Sequence, residues 1–250
     1  MQVVYDHLAL PDAAYLRKRI YKKHFFENAP MSPADRKAFT DDVETVTWQY
    51  TLKPNTLPVN PYEDDEHDYP ELAVIEVALR SPNRVTRIAE MIHRAIPYPL
   101  FLVIVHNECF AVSVAHKRAS RAERGAVVAE DILVTRWMDD TALEVIEQAF
   151  LDSLAVSLQP QTHYYALYTG WHQRVLALAC ARLSGTFRVP DRAEQEAQQR
   201  GRLAACHQIE GEIARLRSEI RKESRFNRQV ELNTQIKQLE EQLRRTAAEL

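Results

Sequence analysis

The last 60 residues, 191–250, contain no proline and repeat apolar side chains at helical spacing: Ile209, Ile213, Leu216 and Ile220, then Leu232, Ile236, Leu239 and Leu243. Steps of four, three and four place these side chains on one stripe of a helix. Between and around them lie 12 Lys and Arg against 11 Asp and Glu, so the other faces are solvated and self-compensating. A stripe this narrow on so polar a helix needs something to cover it. Residues 191–250 are therefore expected to form a coiled-coil helix or a helical hairpin that serves oligomerisation or partner docking. The stripe loses phase between Ile220 and Leu232, a step of twelve that fits neither register. A hairpin turning at residues 223–228 explains the break, and so does one long helix with a heptad discontinuity. The phase change favours the hairpin; the absence of Gly and Pro at the break favours the long helix.

Upstream the periodicity changes. Residues 43–52 alternate and are rich in β-branched and aromatic side chains, which predicts a strand ending before Pro54. Residues 72–79 form a nearly continuous apolar strand. Ser81-Pro82 opens a helix with Val85, Ile88, Ile92 and Ile96 on one face, stopped by Pro97 and Pro99. Residues 100–105, 110–115 and 132–137 are further strands. Pro11-Asp12 starts a helix running into the basic cluster Arg17, Lys18, Arg19, Lys22 and Lys23; Ser32-Pro33 starts another, and Asp139-Asp140 caps one reaching about residue 158. The predicted fold class is α/β (α+β): a mixed twisted sheet with flanking helices over residues 1–158, a helical connector over 159–190, and the helical tail over 191–250.

Composition removes several function classes. Net charge is −3 and the sequence pI about 6.3, so the average carries no electrostatic footprint for nucleic acid or anionic membrane. Cys109, Cys180 and Cys206 are too dispersed for a disulfide framework or zinc spacing and fit a reducing compartment. No apolar run approaches the ~20 residues of a membrane helix, and a cytoplasmic protein is expected. Five dispersed glycines write no phosphate-cradling loop, so nucleotide hydrolysis is not expected of this chain.

Several segments carry a resemblance. Ile20-Tyr21-Lys22-Lys23-His24-Phe25-Phe26, Phe39-Thr40-Asp41-Asp42-Val43-Glu44, Trp48 with Leu52-Lys53-Pro54-Asn55-Thr56-Leu57, Ala95-Ile96-Pro97-Tyr98-Pro99, and Phe226-Asn227-Arg228-Gln229-Val230-Glu231-Leu232-Asn233 together resemble the bacterial family known as domain of unknown function 4391. The resemblance spans nearly the whole chain and is weakest over residues 158–192. It implies no established activity. It does imply a genomic setting beside DNA helicases and DNA methyltransferases of restriction-type, phage-defence islands, and hence partners of that kind.

Glu76 is the most informative carboxylate, because it interrupts the apolar strand Val74-Ile75-Glu76-Val77-Ala78-Leu79-Arg80. A restriction-endonuclease-like nuclease places an acid and a lysine two residues apart on such a strand, so that both face the metal. Ala78 stands where the lysine belongs, and Arg80, two residues further, pairs with Glu76 at best. The acidic loop Glu63-Asp64-Asp65-Glu66-His67-Asp68 offers oxygen ligands for Mg²⁺ or Ca²⁺ but lacks the ordering of a calcium loop, and its expected state is solvated. No cofactor is expected, with Mg²⁺ entering only if the nuclease alternative holds. Lys117, Arg118, Arg121 and Arg124 at a hairpin tip, with Arg19, Lys22 and Lys23, are the candidate phosphate contacts for weak, non-specific DNA binding. The function that fits best is a non-catalytic adaptor subunit of an anti-phage defence or restriction-modification-type complex. The alternatives are a DNA-acting subunit with an active or degenerate nuclease-like core, and a homo-oligomer whose coil is its own interface.

Overall fold

A computed structural model describes residues 2–120 and 127–250, which form two units, residues 1–175 and 176–250. The first is built on a mixed, twisted sheet. Its central strand, β5 (Leu72–Leu79), is the continuous apolar run of the sequence; β6 (Leu100–His106) lies parallel to it, joined by helix α4 (Val85–Ala95). Strands of a parallel pair are covered on both faces, which is why neither shows strict alternation of apolar and polar residues. The remaining pairings are antiparallel: β1 (Tyr15–Ile20) with β2 (Val43–Leu52), β2 with β5, β6 with β7 (Cys109–Ala119), and β7 with β8 (Val127–Val134). A small ladder, β3 (Tyr62–Glu63) with β4 (Asp68–Tyr69), closes the acidic loop, and β9 (Met138–Asp139) pairs with β7.

Alternation along β5 sends its side chains to two different environments. Ala73, Ile75, Val77 and Leu79 join Ile88 and Ile92 of α4, Phe25 of α2 (Lys22–Asn28) and Phe39 of α3 (Pro33–Asp42) in one buried cluster. The opposite face meets α1 (Gln2–Leu8) and the start of α6 (Tyr164–Ser184), where Trp171 sets its ring 5.1 Å from Phe101. The Tyr168 hydroxyl donates to the carbonyl of Leu100 at 2.8 Å and accepts from the amide of Ala115 at 2.8 Å.

Several local expectations are corrected. Residues 15–20 are a strand rather than a helix, because they complete the hydrogen bonds of β2; the helix begins only at Lys22. The strand expected at 132–137 is β8 at 127–134, since its register follows β7. Asp139-Asp140 caps no helix: α5 (Val145–Asp152) starts after Glu144, which forms a reciprocal capping box with Glu147.

In the second unit, α7 (Ala193–Ile220) and α8 (Phe226–Ala247) are the arms of a helical hairpin. Ile209, Ile213, Leu216, Leu232 and Ile236 form its buried cluster, with Ile220, Leu239 and Leu243 packed against it. Arg217 pairs with Glu240 at 2.7 Å and Arg228 with Glu219 at 3.5 Å, as antiparallel arms require. The phase break is thus a turn. It forms without glycine or proline because Glu223 supplies the capping groups: its carboxylate accepts from the Arg225 amide at 2.9 Å, and its carbonyl accepts from the Gln229 side chain at 2.7 Å. Within the chain, each arm covers the stripe of the other.

Candidate functional site

Register places Arg19 of β1 opposite Thr47 of β2, and Thr47 opposite Glu76 of β5, so the three share the sheet face that meets α1. From α1, the Tyr5 hydroxyl donates to Glu76 Oε2 at 2.7 Å. Burial, then the charge of Glu76, hold the Tyr5 hydroxyl far above the usual phenol range, so it stays a donor at any physiological pH. A cleft of about 460 Å³ opens beside this pair, lined among others by Gln2, Tyr15, Arg17, Gln49 and Tyr50.

Two irregularities aim side chains into the cleft. The register slips between Trp48 and Tyr50, leaving Gln49 as the extra residue, and slips again between Tyr15 and Lys18, where Arg17 takes φ +48°. Such bulges turn a strand locally and concentrate beside functional sites. The tyrosines form a ladder of rings, Tyr15 5.3 Å from Tyr50 and Tyr50 5.8 Å from Tyr5. Sequence reasoning singled out Glu76 but missed Tyr5, Tyr15, Gln49 and Tyr50, because bulges leave no mark in a hydrophobic pattern.

Ala78 lies on the Glu76 face, as expected from alternation. Arg80 does not pair with Glu76: its Nη1 donates to the carbonyls of Thr40, Asp41 and Val43 at 3.3, 3.1 and 2.8 Å. The strand ends at Leu79, and the guanidinium is drawn to the orphan carbonyls at the end of α3. In the acidic loop, Asp64 is spent on the turn itself, accepting from the Glu66 and His67 amides at 2.8 and 2.6 Å and from the Tyr62 hydroxyl at 2.8 Å. These bonds hold its carboxyl well below the usual range. Among the described residues, no group of three or more His, Cys, Asp or Glu is placed to hold a metal ion.

The expected phosphate contacts divide. Lys117 is only 2% exposed, because β7 extends to Ala119 and carries it under the end of α4. There its ammonium donates to the carbonyls of His93 and, at 2.8 Å, Ile96, and burial lowers its pKa to about 7. It is a core residue rather than a mobile cation. Arg118 is paired with Glu130 of β8, and Arg121 and Arg124 lie outside the described residues. Lys22 donates to the carbonyls of Thr40, at 3.0 Å, and Val43. Arg19 and Lys23 are exposed.

On the hairpin, Ile209, Ile213, Leu216, Ile220, Leu232, Ile236, Leu239 and Leu243 face the opposite arm. What the hairpin leaves uncovered is its turn end, where Phe226 is 75% and Val230 48% exposed. No helix among the described residues is long and apolar enough to cross a membrane. Comparison with curated proteins and with solved structures finds no match. One family model does match, over residues 8–243, a span holding Tyr15, Arg17, Gln49, Tyr50 and Glu76 of the cleft and most of the hairpin; the chain belongs to the family described as Domain of unknown function (DUF4391).

Proposed function

We propose that the chain is a non-catalytic adaptor subunit of a bacterial anti-phage defence or restriction-modification-type complex, and that the hairpin packs as an antiparallel coiled coil whose tip docks on a partner subunit such as a DNA helicase or methyltransferase. The observation that supports this is the contrast within the hairpin. Its long stripe is covered internally, yet Phe226 and Val230, one turn apart at the start of α8, stand in solvent. Exposed apolar side chains on one helix face are what a helix-in-groove contact uses as anchors. The defence setting comes from the family resemblance and the docking element from the geometry. The test is a pull-down of the tagged chain co-expressed with its neighbouring genes. Replacing Phe226 and Val230 together by Asp is expected to remove the partner while far-ultraviolet circular dichroism still shows the helices; an unchanged pull-down would refute the docking role.

A second reading, a DNA-acting subunit with an active or degenerate restriction-endonuclease-like core, is favoured by one observation. Glu76 projects from the middle of the strand that precedes a helical crossover, and it borders an open cleft. The engagement of its carboxylate by Tyr5 in place of a lysine supports the degenerate form.

A further inference from the structure

We propose that the cleft beside Glu76 and the adjoining β1 edge bind single-stranded nucleic acid, with an unpaired base stacked on Tyr15 and the backbone phosphates on Arg17 and Arg19. The first support is uncompensated charge. The chain is net acidic and pairs many of its arginines with carboxylates, among them Arg84, Arg87, Arg118, Arg200 and Arg215. Arg17, Lys18, Arg19 and Lys23 are exposed, and among the described residues none of them has such a partner. Four exposed cations close together in the chain, on and just after the edge strand, suit a polyanion.

The second support is the aromatic surface beside that strip. Tyr15 is 50% exposed with its ring tilted against that of Tyr50, 5.3 Å away, and Tyr21 is 61% exposed with the Arg19 guanidinium 6.0 Å from its ring centre. Rings interleaved with cations are the means by which proteins hold unpaired bases: every base offers a flat face, and a propped tyrosine loses little freedom on stacking. The cleft is lined further by the amides of Gln2 and Gln49 and by the carboxylates of Asp12 and Glu76, the latter accepting from the Tyr5 hydroxyl. These groups match the hydrogen-bonding edges of a base, which a duplex would keep closed.

An acidic peptide adding a strand to β1 is the competing ligand, and the edge is poorly made for it. The register slip and the positive φ of Arg17 break the row of backbone donors and acceptors that a new strand would need. The edge therefore presents side chains rather than a ladder.

Fluorescence anisotropy on the full chain tests it, with a fluorescein-labelled single-stranded deoxyadenosine oligonucleotide, the same strand in duplex, and a labelled poly-glutamate peptide. The single strand is expected to bind at least tenfold more tightly than the duplex or the peptide. Tyr15→Ala should weaken binding roughly tenfold, within the range measured for base–aromatic stacking, and Tyr15→Trp should retain it. Removing both arginines, Arg17→Ala with Arg19→Ala, should lower the salt slope by about 1.4, two contacts at about 0.7 each. Lys37→Ala, at an exposed position of α3, should change nothing. Equal affinity for duplex and single strand, indifference to Tyr15→Ala, or a peptide bound as tightly as the oligonucleotide each overturn the proposal.

Discussion

The hairpin is held by its own stripe, of which Leu232 is the most buried side chain. Leu232 is completely buried between Ile209, Ile213, Leu216 and Ile236. Five buried Leu and Ile side chains at ~1.5–3 kcal/mol each contribute roughly 8–15 kcal/mol before the cost of ordering the arms. Leu232→Ala removes its share and leaves a cavity, a loss of about 2–5 kcal/mol. Both arms line the cavity, so the loss falls on the opening of the pair. Amide exchange over residues 209–243, read by mass spectrometry, should then accelerate by a factor between about 30 and several thousand at unchanged pH. The acceleration should not depend on protein concentration, because the stripe is covered within one chain. Unaltered exchange in the variant, or wild-type protection that appears only as concentration rises, would show that another chain covers the stripe.

Three further outcomes are expected. Lys117, near pKa 7 in the fold against 10.5 for the free side chain, binds fewer protons folded than unfolded between those values, so its burial penalises folding most at and below pH 7, and stability recovers as pH rises toward 10. The penalty is roughly 5 kcal/mol at its largest; urea unfolding should show Lys117→Met gaining most over wild type near pH 6 and little near pH 10, with a difference independent of pH refuting the burial argument. Buried His93, held well below its usual pKa by burial and then by Lys117, should add to any wild-type loss at acid pH. Glu76→Gln should leave the fold intact, costing no more than ~2 kcal/mol as the Tyr5 hydrogen bond becomes neutral, and neither form should cut DNA with Mg²⁺; robust cleavage lost in the variant would establish the nuclease reading instead.

The central strands and their crossover were legible in the sequence. Burial on both faces leaves 72–79 almost wholly apolar, and one-sided burial stamps the 3.6-residue period on α4. β1 was not legible: Tyr-Leu-Arg-Lys-Arg-Ile has no buried face to write a period, and it is a strand only because β2 offers it hydrogen bonds. Lys117 and Arg118 are adjacent cations with opposite fates, one beneath the carbonyls of α4 and the other beside Glu130, which depends on strand length and register. Glu76 could be singled out as a carboxylate in an apolar run, but its partner comes from 71 residues away. The apolar stripe of the tail is a property of local spacing, whereas what covers it, the other arm, depends on whether the chain turns at residues 221–225. Periodicity records which face of an element is buried, and the identity of the neighbour across that face exists only once the chain has folded.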